Sequence, residues 1–263
     1  MLTEDNKLPF LSSFEMHIVD HCNLNCKGCL HYSPLSPPCF YDIHEFRNDL
    51  REMSRKMRIG RLRILGGEPL LHHHVVDFLV AARMYFPMAE ICLVTNGILL
   101  VTKKKDFWDC LKRNNILIDL SCYPAEEQDV DRIKTLILKN SCKIRKIRNG
   151  CVFWVSLAPA GGENAKNSFK TCVCKLSCPN LRHGRMMVCP VACYLDIYNS
   201  FFNVSLPCDE GIDIYANTGK KILEYLQKPI RTCSFCKAQY RFFDWEKSKL
   251  RKEEWDVYAL DGS

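Results

Sequence analysis

The sequence predicts an α/β chain: an open, partial barrel of five or six βα units followed by a small cysteine-rich α+β module. Three observations predict it. Short apolar runs alternate with helical periodicities up to residue 158, the loop Ala160-Gly161-Gly162-Glu163-Asn164 breaks the pattern, and cysteines crowd the stretch beyond it. The expected boundaries are 10–158 for the barrel and 159–263 for the second module.

Phe14, Met16 and Ile18 alternate in a strand that runs straight into Cys22. After a loop with Pro34, Pro37 and Pro38, Asp42 and Glu45 have the spacing of a capping box. Ile43, Phe46, Leu50, Met53 and Met57 then recur on one helix face. Leu62, Ile64 and Leu65 make a second strand ending at Gly66-Gly67. Val75, Val76, Leu79, Val80 and Met84 suit a helix, and Ile91, Leu93 and Val94 a third strand that stops at Asn96-Gly97. A weaker helix over 104–113, a strand Ile116–Leu120, a helix marked by Val130, Ile133 and Ile137, and a strand pair over 144–157 follow. Strands separated by helices imply a mainly parallel sheet with right-handed crossovers. About five such units fall short of the eight of a closed barrel. Beyond residue 158 the sequence predicts a hairpin at His183-Gly184, a short helix capped by Thr218 and stopped by Pro229, and a solvated terminal helix over the basic stretch 246–253.

With 47% hydrophobic and 25% charged residues, 263 residues can bury a sizeable core. Met1 to Phe14 has no basic flank followed by an apolar run, and no stretch reaches the roughly 18 apolar residues of a membrane span. A cytoplasmic protein without a membrane partner is expected. In a reducing compartment the seventeen cysteines read as metal ligands where clustered and as small apolar core residues where scattered. The net charge of +7 is mild and spread out, with one basic run at Lys103–Lys105 and another at Lys143, Arg145, Lys146 and Arg148. These read as solvated faces or, as the lesser reading, contacts to an anion. No basic stripe interleaved with aromatics points to nucleic acid.

Three motifs carry chemistry. Cys22, Cys26 and Cys29 have C-x3-C-x2-C spacing in the loop after the first strand. Three thiolates can hold three irons of a cubane cluster. The fourth iron then stays open to a substrate or cofactor, as at an open catalytic zinc site; a zinc knuckle is the alternative. Gly66-Gly67-Glu68-Pro69 follows the second strand, where glycines admit close backbone approach and Glu68 and the carbonyls can accept hydrogen bonds from an ammonium group. Thr95-Asn96-Gly97 and Ser121 end the third and fourth strands, and ligands of α/β sheets gather at such carboxyl ends.

Together these motifs resemble the radical S-adenosylmethionine (SAM) superfamily. The resemblance implies that Cys22, Cys26 and Cys29 hold a SAM-cleaving [4Fe–4S] cluster. It also implies that Gly66, Gly67, Glu68 and Pro69 hold the SAM amino group, and that Thr95, Asn96, Gly97 and Ser121 face its ribose. The family usually has an aromatic residue before the third cysteine, near adenine; here Gly28 stands there, and Tyr32 is a candidate replacement.

Downstream, Cys172, Cys174 and Cys178 precede a G-x4-C segment from Gly184 to Cys189, with Cys193 just after it and a C-x2-C pair at Cys233 and Cys236. This order resembles the Twitch or SPASM-like auxiliary-cluster domain. It implies a second [4Fe–4S] cluster on Cys189, Cys233, Cys236 and one of Cys172, Cys174 and Cys178, with a four-thiolate zinc site as the alternative. Cys39, Cys92, Cys110, Cys142 and Cys151 read as core or incidental. Cys122, Cys193 and Cys208 are candidate hydrogen donors, and His72-His73-His74 reads as surface or capping histidines.

The function implied is hydrogen abstraction from a small-molecule substrate, with electrons from a donor such as flavodoxin or ferredoxin. A second cluster able to accept an electron favours dehydrogenation of a sugar-like molecule, as in family members that oxidise a carbinol on a small cyclitol. The alternative is epimerisation or peptide modification, with a cysteine or tyrosine returning hydrogen. A zinc-stabilised binding module is the distant alternative.

Overall fold

The computed structural model describes residues 8–175 and 178–259. The start at 1–7, on which the expected lack of a leader partly rests, and the last four residues of the expected second module lie outside them.

The chain begins β1 (Phe10–Val19), α1 (Ile43–Lys56), β2 (Arg58–Gly66), α2 (Val75–Tyr85), β3 (Glu90–Thr95), α3 (Lys105–Arg113), β4 (Leu117–Cys122), α4 (Val130–Lys139) and β5 (Lys143–Asn149). It continues with β6 (Val152–Leu157), α5 (Ala165–Thr171), β7 (Asn180–Arg182), β8 (Arg185–Met187), α6 (Pro190–Cys193), α7 (Leu195–Phe202), β9 (Ile212–Asp213), α8 (Gly219–Leu226) and β10 (Cys236–Asp244).

One sheet has the order β5-β4-β3-β2-β1-β7-β8-β9, parallel from β5 to β7 and antiparallel beyond. This is the expected open α/β architecture of parallel strands and crossover helices. The expected strand pair over 144–157 does not form. β5 and β6 are joined only by Gly150 and Cys151, yet β6 leaves the sheet and pairs antiparallel with β10. The short β7, β8 and β9 extend the same sheet on the free edge of β1. Accordingly one apolar core runs from Phe14 and Leu62 through Leu93 and Ile118 to Leu181, Met186, Ile222 and Leu226. A second cluster, around Tyr32, Tyr194, Tyr198 and Trp255, packs α6 and α7 against the loop after the cysteine motif.

Local signals hold well at the helix ends. Asp42 accepts hydrogen bonds from the His44 and Glu45 N–H groups at 2.8 and 2.9 Å. Glu45 does not reach back to complete the capping box; it turns to His183 Nδ1 at 2.6 Å. Asp42→Ala is expected to cost about 1 kcal/mol of unfolding free energy, measurable by urea denaturation. Thr218 caps α8 through Lys221 N–H, and His72 receives the N–H of His74 just before α2.

The basic stretch 246–253 is not a solvated helix. It is an extended strap with one 3-10 turn, Lys252–Trp255, that buries Glu254 and Trp255. Its backbone groups find partners in the cysteine loop instead of in a helix: Lys27 N–H donates to Glu246 O at 3.0 Å, and Ser248 N–H to Asn25 O at 2.7 Å. No helix among the described residues is long and apolar enough to cross a membrane.

Candidate active site

At the carboxyl ends of β2, β3 and β4 lies a cavity of about 150 Å³ that opens to solvent. Its lining brings together Cys22, Cys26 and Cys29 with Gly66, Gly67, Thr95, Asn96 and Ser121. Three sequence motifs thus meet at one place.

Backbone contact explains the glycines. A Cβ on Gly66 would stand 2.1 Å from Val19 O, and one on Gly67 2.1 Å from His21 O. Gly67 N–H donates to Val19 O at 2.9 Å and Glu68 N–H to His21 O at 3.1 Å. The segment therefore fixes the path by which β1 delivers Cys22. Glu68 is fully buried, and its carboxylate already accepts hydrogen bonds from Leu70 N–H at 3.0 Å, Thr95 Oγ1–H at 2.6 Å and Asn96 N–H at 2.9 Å. Burial raises its pKa to about 7. Glu68 thus ties two loops together, and neither it nor Pro69 is among the lining residues. Gly97 likewise serves the loop, at φ +76° with its N–H on Thr95 Oγ1. Gln128, which sequence reasoning missed, donates to Asn96 O and Ser121 O at 2.6 Å each and so locks the ends of β3 and β4 together.

The three thiols could hold a cubane cluster. Burial raises the pKa of each, to about 12 for Cys26, so the free thiols are protonated; metal ligation would displace those protons. Donors to the sulfurs are in place. Leu24 N–H lies 3.4 Å from Cys22 Sγ, and Trp245 Nε1–H donates to Cys26 Sγ at 3.2 Å. Trp255 Nε1–H holds the Cys29 carbonyl at 2.9 Å. Such outer partners orient ligands and tune their basicity. Trp245→Phe keeps the ring but loses the donor; it is expected to speed chelator-driven iron release roughly tenfold, and unchanged release would remove this role.

Gly28 has a structural reason. At φ +64°, a Cβ there would sit 2.6 Å from the Phe243 ring and 2.8 Å from Val155. Side chains of β10 and β6 fill the space that a side chain at this position would need. Tyr32 does not replace the missing aromatic: it packs against Tyr198 and Trp255 in the second apolar cluster. Tyr123 and Phe153 line the cavity instead.

The cavity also has a charged wall. Arg63 on β2 donates to Glu15 on β1 and has Nε 3.8 Å from Asp119 on β4. Arg145 on β5 grips Asp119 through Nε at 2.7 Å and through a terminal nitrogen, and Arg148 approaches the same carboxylate at 3.6 Å. Burial lowers the Arg63 pKa to about 10, which leaves it charged at neutral pH.

A second cavity is lined by Cys172, Cys174, Cys189, Cys233 and Cys236; Cys178 is not among its lining residues. Cys172 lies near enough to raise the thiol pKa of each of Cys189, Cys233 and Cys236. Its own is lowered to about 6, chiefly by a hydrogen bond with Cys174. Of the candidate hydrogen donors, Cys122 sits between the lining residues Ser121 and Tyr123 without joining them, Cys193 is buried beside Arg182, and Cys208 is exposed.

Residues 16–137 match the Radical SAM superfamily. GTP 3',8-cyclase of Clostridium perfringens (strain SM101 / Type A) is 32% identical over 123 residues, which is 45% of this chain and 38% of that protein. GTP 3',8-cyclase of Thermodesulfovibrio yellowstonii is 30% identical over 120 residues, 44% of this chain and 37% of that protein. The chain thus spans less than half the length of these curated relatives. The crystal structure of BtrN in complex with AdoMet and 2-DOIA shares the fold at a TM-score of 0.55 and 16% identity, over 88% of this chain and 93% of that one. The family model that residues 16–137 match, over somewhat less than half of the chain, is thus the one that the cysteine, glycine and strand-end motifs resemble.

Proposed function

We propose that the chain is a radical SAM dehydrogenase of a small polar, sugar-like molecule. The observation that carries this reading is the convergence of the three buried thiols with the ends of β2, β3 and β4 on one cavity. When bound on Cys22, Cys26 and Cys29, a [4Fe–4S] cluster supplies the electron that breaks SAM into methionine and a 5′-deoxyadenosyl radical. The protein's own part is placement and exclusion of water. Carbonyls around Gly66 and Gly67 take the SAM ammonium, Thr95, Asn96 and Ser121 face its ribose, and the strap carrying Trp245 and Trp255 covers the cysteine loop.

Dehydrogenation removes two electrons and two protons from a carbinol. One electron and one proton leave as the abstracted hydrogen atom, the hydroxyl proton passes to solvent, and the other electron needs an acceptor. Cys172, Cys189, Cys233 and Cys236, which line one cavity, would hold it, with Cys174 of the same lining as the other choice for the fourth ligand. In this reading residues 159–263 act as a Twitch-like module, and a flavodoxin- or ferredoxin-type donor reduces the first cluster. The relatives' name supplies a different reading, cyclisation of GTP, on a match covering 38% of the length of one of them. A redox-neutral epimerisation is favoured by one observation: Tyr123 lines the cavity and could return a hydrogen atom.

Anaerobic reconstitution should give about eight irons per chain, and turnover should give one 5′-deoxyadenosine per oxidised product. GTP consumption without an oxidised sugar would support the cyclase reading. Solvent deuterium retained at an inverted carbon would support epimerisation.

A further inference from the structure

We propose that the substrate of this site carries an anionic group, a carboxylate or phosphate, held by Arg148 together with Arg63. The inference rests on the radical SAM reading of the cavity and adds the charge class of the molecule bound there.

The charges on the wall do not balance. Three guanidiniums, Arg63, Arg145 and Arg148, meet the carboxylates of Glu15 and Asp119, while Glu90, 3.9 Å from Arg145, is taken by Arg61 at 2.5 Å. Arg63 takes Glu15, and Arg145 takes Asp119 with two nitrogens. Arg148 is left to share Asp119 at 3.6 Å, beyond hydrogen-bond distance. One positive charge therefore faces the cavity without a carboxylate of its own.

The donors tell the same story. Arg63 Nε and Arg148 Nε are buried and have no hydrogen-bond partner, and both residues line the cavity. A buried donor left in this state is unfavourable, and a ligand oxygen would supply the missing partner. Arginine offers donors only, in a fork that fits carboxylate and phosphate oxygens. An amine would meet the excess positive charge with both wall carboxylates already engaged. Arg145 and Arg148 belong to the basic run at 143–148, so part of that run faces inward as an anion site.

SAM has a carboxylate of its own, and the test separates the two claims on Arg148. Cluster-loaded protein saturated with SAM is titrated anaerobically, without reductant, with D-glucuronate, D-glucose 6-phosphate, D-glucose and D-glucosamine, reading the melting temperature and the tyrosine and tryptophan fluorescence. At least one of the two anionic sugars is expected to bind roughly tenfold or more tightly than glucose and glucosamine, and the preferred one identifies carboxylate or phosphate. Arg148→Gln is expected to abolish that preference and Arg148→Lys to restore part of it. Equal binding of the neutral or amino sugar, or no preference for either anion, overturns the proposal. So does a fall in SAM affinity in Arg148→Gln that matches the fall in anion affinity, since the guanidinium would then serve the cofactor. Binding is read without turnover, so a failure to cleave SAM would sink the radical reading and leave this result separate.

Discussion

Replacing Cys22, Cys26 and Cys29 together by alanine is expected to reduce SAM cleavage to the uncatalysed level, a loss of at least about 10⁶-fold. The three thiols are the cysteines on the wall that also holds Gly66, Gly67, Thr95 and Asn96, so no other thiol there can take their place. Iron content should fall from about eight to about four per chain, because the cavity lined by Cys189, Cys233 and Cys236 is untouched. The fold should survive, since the core built on Phe14, Leu62 and Leu93 does not depend on these residues. Iron and sulfide analysis, electron paramagnetic resonance and the yield of 5′-deoxyadenosine measure all of this. Cleavage retained by the triple variant would refute the assignment.

Gly67→Ala is expected to be nearly as damaging by another route. The new methyl would stand 2.1 Å from His21 O and 2.4 Å from its carbonyl carbon, both backbone atoms that no rotamer change can move. The turn after β1 must shift, and Cys22 shifts with it. A loss of about 3 kcal/mol or more in stability is expected, with poor uptake of the first cluster. Gly162→Ala is the contrast: its Cβ would meet nothing within 4 Å, so only the cost of its positive φ remains, about 1–2 kcal/mol. Melting temperature and iron content of the two variants make the comparison. Equal behaviour would mean that the close approach at Gly67 has no special role.

Why some elements were legible and others were not follows from the range of the forces involved. Helices α1 to α4 were readable because their apolar spacing, with the Asp42 cap of α1, is written within a few residues. The cysteine triad was readable because its ligands are close in sequence. The loop of Glu68 was legible, but the protein partners of its side chain were not. Its three donors come from Leu70, Thr95 and Asn96, two of them on another strand's end, and burial removed it from the cavity. Arg63 carried no motif, and Arg148 stood only in a basic run read chiefly as a solvated face. Only the parallel pairing of β1, β2, β4 and β5 around Asp119 and Glu15 brings them to one wall.

The sequence by itself determined the alternation of strands and helices, the loops that bear the cysteines and glycines, and hence the chemistry expected there. The tertiary structure alone decided that β6 leaves its neighbour for β10, that β7 joins the far edge of β1, and that a charged tail becomes a strap over the cysteine loop. The physical reason is that periodicity and capping are local, whereas a strand's partner is chosen by which distant surface its apolar face and free backbone groups can satisfy. For residues 246–253 the charge pattern reports solvation, yet the backbone found better partners 220 residues away, at Asn25 and Lys27.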